Sequence, residues 1–236
     1  MKLLVLAGGF GTRLQSVVSD VPKALAPVGS APFLRLQLEN WISQGLRSFV
    51  FLLHHQSELV IAFLKSEQSG LLKGCEVQWV VETKPMGTGG AVAHAVQQLQ
   101  LSGSFLVTNA DTWLGTGIAG VSSARAPAMA VVSVGDAGRY GRVQVDDQFN
   151  ITVFHEKSKV GGVGLINAGL CHLDARFFQS WNHEPYSLEQ VSFPAMAAEG
   201  LLKAVVLDAD FIDIGIPEDY RKFCDRLQKR SGNNES

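Results

Sequence analysis

Three glycines, an arginine and a lysine crowd the start of the chain. Gly8, Gly9 and Gly11 lie in the run Leu6-Ala7-Gly-Gly-Phe-Gly-Thr12-Arg13-Leu, and Lys23 follows in Pro22-Lys-Ala-Leu-Ala-Pro27. Glycines let a backbone approach a ligand closely and turn its N–H groups inward, a geometry that suits phosphate oxygens. Arg13 adds a planar fork and Lys23 a compact charge, so two cations reach one anion. The implied ligand is a nucleoside triphosphate held by its phosphates. Two lookalikes fail. A dinucleotide fingerprint needs Gly-x-Gly-x-x-Gly, and counting from Gly9 the third glycine falls on Leu14. A P-loop needs Gly-Lys-Ser/Thr, a run this chain lacks.

Two carboxylates end short apolar runs in distant parts of the chain: Asp111 in Phe105-Leu-Val-Thr-Asn109-Ala-Asp111, and Asp213 in Ala209-Asp-Phe-Ile-Asp213. Brought together, such a pair can hold one magnesium ion with waters and phosphate oxygens. Asp208 and Asp210 precede the second run and read as exposed charges. Glu82, with Pro85-Met-Gly87-Thr88-Gly89-Gly90, reads as a base-recognition segment: the glycines would admit a flat ring and the amino end of the next helix would face it. A carboxylate only accepts hydrogen bonds; guanine offers two adjacent donors, whereas uracil offers one imide N–H and is not excluded. His54 and His55 read as polar residues at a strand end, and neither His94 nor His155 has a histidine at ligand spacing. Trp113 is open to two readings, a pocket wall or a core residue.

Short apolar runs alternate with helical patterns. Strands are expected at Leu3–Leu6, Phe49–Leu53, Val77–Val81, Phe105–Thr108 and Met129–Val134, and helices at Phe33–Gln44, Glu58–Lys65, Gly90–Leu99 and Pro217–Leu227. In the last, Tyr220, Phe223, Cys224 and Leu227 share one face. Such alternation predicts an α/β fold, a Rossmann-like three-layer arrangement around a mostly parallel sheet, with ligands at the carboxyl ends of the strands. From 139 to 173 the pattern changes to Arg142–Val145, Ile151–His155 and Gly164–Leu173 joined by short turns, an expected antiparallel insertion beside the main sheet. The expectation is one domain over 1–230 and a disordered tail over 231–236.

In order along the chain, Gly-Gly-x-Gly-Thr-Arg-Leu, Pro-Lys-x-Leu-x-Pro, Glu82-Thr-Lys-Pro-Met-Gly-Thr-Gly-Gly, Asn109-Ala-Asp111, Tyr140-Gly-Arg-Val, Glu156-Lys157, Gly164-Leu-Ile-Asn-Ala-Gly169 and Phe211-Ile-Asp-Ile-Gly resemble the sugar-1-phosphate nucleotidylyltransferases, nearly end to end. The fold of that family is the GT-A-like nucleotidyltransferase fold. The resemblance implies that Leu6, Ala7, Gly8, Gly9, Gly11, Thr12, Arg13, Lys23, Glu82, Pro85, Gly87, Thr88 and Asn109 bind the nucleotide. It assigns Asp111 and Asp213 to Mg2+. Gly141, Glu156, Lys157 and Asn167 would bind the sugar phosphate, with Lys159 as a substitute for Lys157. Arg13, Lys23 and Asp111 would be the catalytic groups.

The runs Ser-Val-Val-x-Asp-Val-Pro-Lys and Phe-Ile-Asp-Ile-Gly-Ile-Pro-Glu-Asp-Tyr look most like the D-glycero-α-D-manno-heptose 1-phosphate guanylyltransferases. The implied reaction joins GTP and the sugar 1-phosphate into a GDP-heptose for surface polysaccharide and releases pyrophosphate. Mannose 1-phosphate with GTP, or an amino-sugar 1-phosphate with UTP, are the neighbouring alternatives. From another class comes a catalytically idle, nucleotide-sugar-binding regulatory subunit, which would be expected to lack one of Arg13, Lys23, Asp111, Lys157 or Asp213; all five are present.

At 236 residues, 46% hydrophobic and 18% charged, the chain has the balance of a soluble globule large enough for a sizeable core. A net charge of −2 gives no bulk attraction to nucleic acid or an anionic membrane. Cys75, Cys171 and Cys224 are scattered, without a Cys-x-x-Cys pair, which argues against zinc and fits a reducing cytoplasm. No signal-peptide pattern, apolar run of membrane-spanning length or hexapeptide repeat is found. A homo-oligomer is compatible with the family, but the sequence shows no interface.

Overall fold

The computed structural model describes residues 1–155 and 161–232, with the side chains of 230–232 excepted. Strand β1 (Leu3–Leu6) opens the chain, and the glycine loop follows it. A small hairpin, β2 (Pro27–Val28) and β3 (Ala31–Pro32), leads into helix α1 (Phe33–Ser43). Then come β4 (Ser48–Leu53), α2 (Ser57–Glu67), β5 (Glu76–Val81), α3 (Gly87–Gln98), β6 (Ser104–Asn109), β7 (Thr112–Leu114), α4 (Ile118–Ser123) and β8 (Ala128–Val134). The second half holds β9 (Arg142–Val145), β10 (Ile151–His155), β11 (Gly164–Asp174), α5 (Phe193–Ala198), β12 (Lys203–Val206), β13 (Phe211–Asp213) and α6 (Pro217–Gly232). Among the described residues no helix is long and apolar enough to cross a membrane.

Strands β5, β4, β1 and β6 lie side by side and parallel. The central strands β4, β1 and β6 are largely apolar on both faces because both faces are covered, whereas the edge strand β5 carries Glu76 and Gln78 and is only partly buried. Successive side chains alternate across a strand. Leu4, Val50, Leu52 and Val107 therefore join one core with α3 and α5, while Leu3, Val5, Phe49, Phe51, Leu53 and Leu106 join the opposite core with α1 and α2. A third, smaller core packs Leu14 and Val18, just past the glycine loop, against Ile212, Ile214 and Phe223 of α6. That core ties the loop to β13.

After β1 the chain builds outward through β4 and β5, then returns to place β6 on the other side of β1. The reversal opens a crevice beyond the carboxyl ends of β1 and β6, the switch point where ligands bind in such sheets.

The expected antiparallel segment lies beside the parallel strands and is continuous with them, so that among the described residues nine strands share one sheet. The cause is the length of β11. Its second half, Leu170–Asp174, pairs with β6; its first half pairs with β9 through Leu165 and Ile166; and β8 runs along its other edge. A break in register between Asn167 and Cys171 lets one strand serve both halves. Helix α6 extends through Gly232, past the expected start of the tail; 233–236 lie outside the described residues.

Candidate active site

A cleft of about 550 Å³ occupies the crevice. The glycine loop forms one wall. Gly11 adopts φ +62°, which favours glycine, and a side chain on Gly8 would press on His54 at 3.1 Å. Arg13, Lys23, Asn109, Asp111 and Asp213 all line the cleft, as do Leu6, Ala7, Gly8, Gly9 and Gly11. Thr12 is exposed and does not line it.

Asp111 sits in the tight turn between β6 and β7. Strands β7 and β13 form a two-stranded antiparallel ladder in which Asp213 faces Thr112, and the Ile214 N–H donates to the Asp111 carbonyl at 2.9 Å. The two expected carboxylates are therefore backbone neighbours. Lys23 Nζ donates to Asp111 Oδ2, and the Thr112 hydroxyl donates to Oδ1 at 3.3 Å. A Cβ placed on Gly215 would lie 2.7 Å from Asp213 Oδ1, 3.0 Å from Lys23 Nζ and 3.4 Å from Arg13 Nη2. Carboxylate, ammonium and guanidinium thus converge on one point, which the missing side chain of Gly215 leaves open. The Gly215 N–H donates to Asp213 Oδ1 at 2.7 Å.

The electrostatics separate the two acids. Burial pushes the Asp111 carboxyl up, but the charge and hydrogen bond of Lys23, with the Thr112 hydroxyl, outweigh it and hold it below the usual carboxylate range. Asp213 goes the other way: burial and the neighbouring Asp111 charge push it up against the smaller pull of Lys23, the Gly215 N–H and Arg13. Two hard oxygen donors, one destabilised by like charge, suit a divalent cation completed by waters and phosphate oxygens. Among the described residues no group of three or more His, Cys, Asp or Glu gathers at one point.

The expected base segment is built differently from the sequence reading. Pro85, Gly87 and Thr88 line the cleft, but Gly89 and Gly90 do not. A Cβ on Gly89 would lie 2.1 Å from the Tyr186 ring, and one on Gly87 2.5 Å from the Tyr186 carbonyl oxygen. These glycines make room for the chain's own Tyr186. The same carbonyl accepts from the Gly89 and Gly90 N–H groups at 3.0 and 3.2 Å, so the amino end of α3 is capped by protein and those donors do not face a ligand. Glu82 is buried, its Oε2 accepts from the Met86 N–H at 2.9 Å, and burial pushes its carboxyl up. It lines the cleft while holding the turn into α3.

Gly141 and Asn167 also line the cleft, joined by a hydrogen bond from the Asn167 N–H to the Gly141 carbonyl at 2.8 Å. Asn167 Oδ1 accepts from the Gly169 N–H at 2.9 Å. Glu156, Lys157 and Lys159 lie outside the described residues. Trp113 settles as a core residue: it packs on Phe223, ring centres 5.4 Å apart, and does not line the cleft. Asp208 is exposed, whereas Asp210 is half-buried and paired with Arg226 at 2.9 Å.

Several cleft residues were not read from the sequence. Arg139, Tyr140, Ser187, Glu189 and Phe211 line it. Glu189 Oε2 accepts from Thr88 Oγ1 at 2.6 Å and Ser187 Oγ at 2.7 Å, which pins the one-turn π-helix Leu188–Ser192 to the start of α3. The legible signal was Ser187 before Leu-Glu-Gln, a helix N-cap pattern; its hydroxyl accepts from the N–H groups of Glu189 and Gln190.

Known proteins resemble this chain over nearly its whole length. The family model described as Nucleotidyl transferase matches residues 2–230. D-glycero-alpha-D-manno-heptose 1-phosphate guanylyltransferase of Campylobacter jejuni is 31% identical over 94% of this chain and 98% of its own. Mannose-1-phosphate guanylyltransferase 1 of Arabidopsis thaliana is 32% identical over 98% of this chain and 67% of its own. Among solved structures, HddC from Yersinia pseudotuberculosis, crystallised also in complex with GMP-PN, superposes with a TM-score of 0.82 at 33% identity, covering 96% of this chain and 99% of HddC. With the family model spanning the fold and every described element of the cleft, the chain belongs to the nucleotidyl transferase family.

Proposed function

We propose that the protein transfers GMP from GTP to D-glycero-α-D-manno-heptose 1-phosphate, giving GDP-heptose and pyrophosphate. The observation that carries the class of reaction is the convergence of Arg13, Lys23 and Asp213 on Gly215, beside Asp111 and the glycine loop. The heptose 1-phosphate relatives support the sugar, and the relative crystallised with GMP-PN supports guanine.

The chemistry needs no nucleophilic side chain. A phosphate oxygen of the sugar 1-phosphate is already anionic at neutral pH. It attacks the α-phosphorus of GTP, a P–O bond forms, the α–β P–O bond breaks and pyrophosphate leaves with its electrons. Catalysis is then positioning plus charge neutralisation. Arg13 and Lys23 supply cations to the phosphate oxygens. The glycine loop lets backbone N–H groups come close. Asp111 and Asp213 would hold Mg2+, which supplies further positive charge to the phosphates when bound. Gly141 and Asn167 would face the sugar, and Glu156 and Lys157 would complete that half. The Glu82 carboxylate, which lines the cleft, suits the donor edge of guanine. GTP and sugar phosphates are cytoplasmic metabolites, so a cytoplasmic enzyme fits this chemistry.

The test is pyrophosphate release with four nucleoside triphosphates crossed against heptose, mannose, glucose and N-acetylglucosamine 1-phosphates. Highest kcat/KM for GTP with the heptose 1-phosphate is expected. A preference for mannose 1-phosphate would transfer the protein to the activity of its Arabidopsis relative. Nucleotide binding without release from any pair would refute the transferase reading.

A further inference from the structure

Arg139, Tyr140 and Gly141 form one wall of the cleft. Local contacts hold part of this segment: the Tyr140 N–H donates to the Ala137 carbonyl at 3.1 Å, and the Gly141 carbonyl accepts from Asn167. The Tyr140 ring stands edge-on to Phe211, centres 5.5 Å apart. The remaining anchor comes from the other end of the chain. Arg139 Nη2 donates both to Asp219 Oδ2, in the first turn of α6, and to the Tyr140 hydroxyl at 3.2 Å.

Asp219 is an unusually buried acid for a helix start. An acid in the first turn gains from the helix dipole without being buried, as neighbouring Glu218 does with a side chain 72% exposed. Asp219 is 5% exposed. Burying a carboxylate is costly unless it is partnered, and its partners are Arg139 on one oxygen and Lys222, at 3.4 Å, on the other. Lys222 also serves Glu218 at 2.7 Å and would be satisfied without Asp219. Among the described residues, the ion pair to the cleft wall is the one that Asp219 alone makes with Arg139.

We infer that Asp219 is a positioning residue for the sugar 1-phosphate: its buried carboxylate holds the Arg139 guanidinium, which fixes the Tyr140 hydroxyl and presents Arg139 to Gly141 as a preformed wall. The role of that wall rests on the guanylyltransferase reading above. Asp219 acts through Arg139 and Tyr140 and does not itself line the cleft.

The test compares D219N, which keeps shape and removes charge, with R139Q, which breaks the pair from its exposed side, and with E218Q as control. Both link-breaking variants are expected to raise KM for the sugar 1-phosphate about tenfold or more, as small misplacements in a site do, with KM for GTP within about twofold of wild type. The double variant is expected to be no worse than the worse single one, as for residues acting as one unit. Amide hydrogen exchange at 139–141 should quicken in D219N and R139Q and stay as in wild type in E218Q. Equal rises in both KM values, additive losses in the double variant, or unchanged exchange would overturn the inference. Should D219N not fold, R139Q carries the kinetic and exchange arms alone. If wild-type protein turns over no substrate pair, the functional reading fails separately, and exchange at 139–141 still decides whether Asp219 anchors the wall.

Discussion

The carbonyl of Asp111 accepts from the N–H of the residue after Asp213, and Asp213 faces Thr112 across the β7–β13 ladder. Two acids far apart in the chain are thereby held side by side by backbone pairing, independent of any side-chain contact.

That rigidity makes the consequences of removing a charge predictable. Asp111→Asn takes the charge partner from largely buried Lys23, and relief of the Asp213 repulsion offsets only part of that, so the protein should still fold but lose some stability at neutral pH. Turnover should fall by about 10²–10³-fold, as when a preorganised electrostatic group is removed. Near-native pyrophosphate release at saturating magnesium would rule out the metal role.

Asp213→Asn should stabilise the protein near neutral pH. The folded carboxyl titrates above its ordinary value of 3.8, chiefly through burial and then Asp111. Between the unfolded and the folded pKa the native state binds more protons than the unfolded one, so stability falls as pH rises through that window. Above it the ionised group imposes its full cost, which asparagine removes. Thermal melts of both proteins should diverge at pH 7 and converge at about pH 3, below both values. Asp111 has the opposite sign: its contribution is present above 3.8 and fades as pH falls through its lowered folded value. Equal melting temperatures at pH 7 would contradict the argument.

Gly215→Ala separates function from folding. The three atoms nearest the new methyl are side-chain ends, of Asp213, Lys23 and Arg13; the two long cations can swing aside and only Asp213 is held, so the stability loss should stay within about 1–2 kcal/mol. Moving three charged ends from the reacting position should still cost tenfold or more in kcat/KM, roughly the effect of a small displacement. Denaturant midpoints and pyrophosphate release measured on one preparation check both halves.

Gly89→Ala should do the reverse. Its methyl would run into the Tyr186 ring, and overpacking of this kind costs about 1–3 kcal/mol. Adding Tyr186→Ala should not deepen the loss by the full effect of that change alone, because the ring that clashes is gone. A urea-unfolding cycle of the four proteins tests this; strict additivity would count against it.

Gln37 offers a final check. Buried in α1, it donates through Nε2 to the Thr112 carbonyl at 2.8 Å and to that of Asn109 at 3.4 Å, the two residues flanking the Asp111 turn. Gln37→Met should leave those carbonyls short of a donor, costing about 1–3 kcal/mol, and should lower kcat. Unchanged stability and kcat would show that the turn holds itself.

Much of this protein was legible in its sequence because the informative patterns are local. Leu3–Leu6 reads as a buried strand from four consecutive apolar residues. The glycine loop declares itself by three closely spaced glycines followed by Arg13 and Lys23. Asp111 and Asp213 stand out at the ends of apolar runs. What decided the rest are contacts between residues remote in the chain. Gly89 beside Thr88 looks like room for a base until Tyr186 is seen to fill it. Asp219 looks like an ordinary helix-start acid until Arg139 is found against it. Periodicity and composition register only the demands a residue's own element makes on it. Which distant side chain occupies a gap, or answers a buried charge, is set by how the sheet and helices close on one another, and that is a property of the folded chain alone.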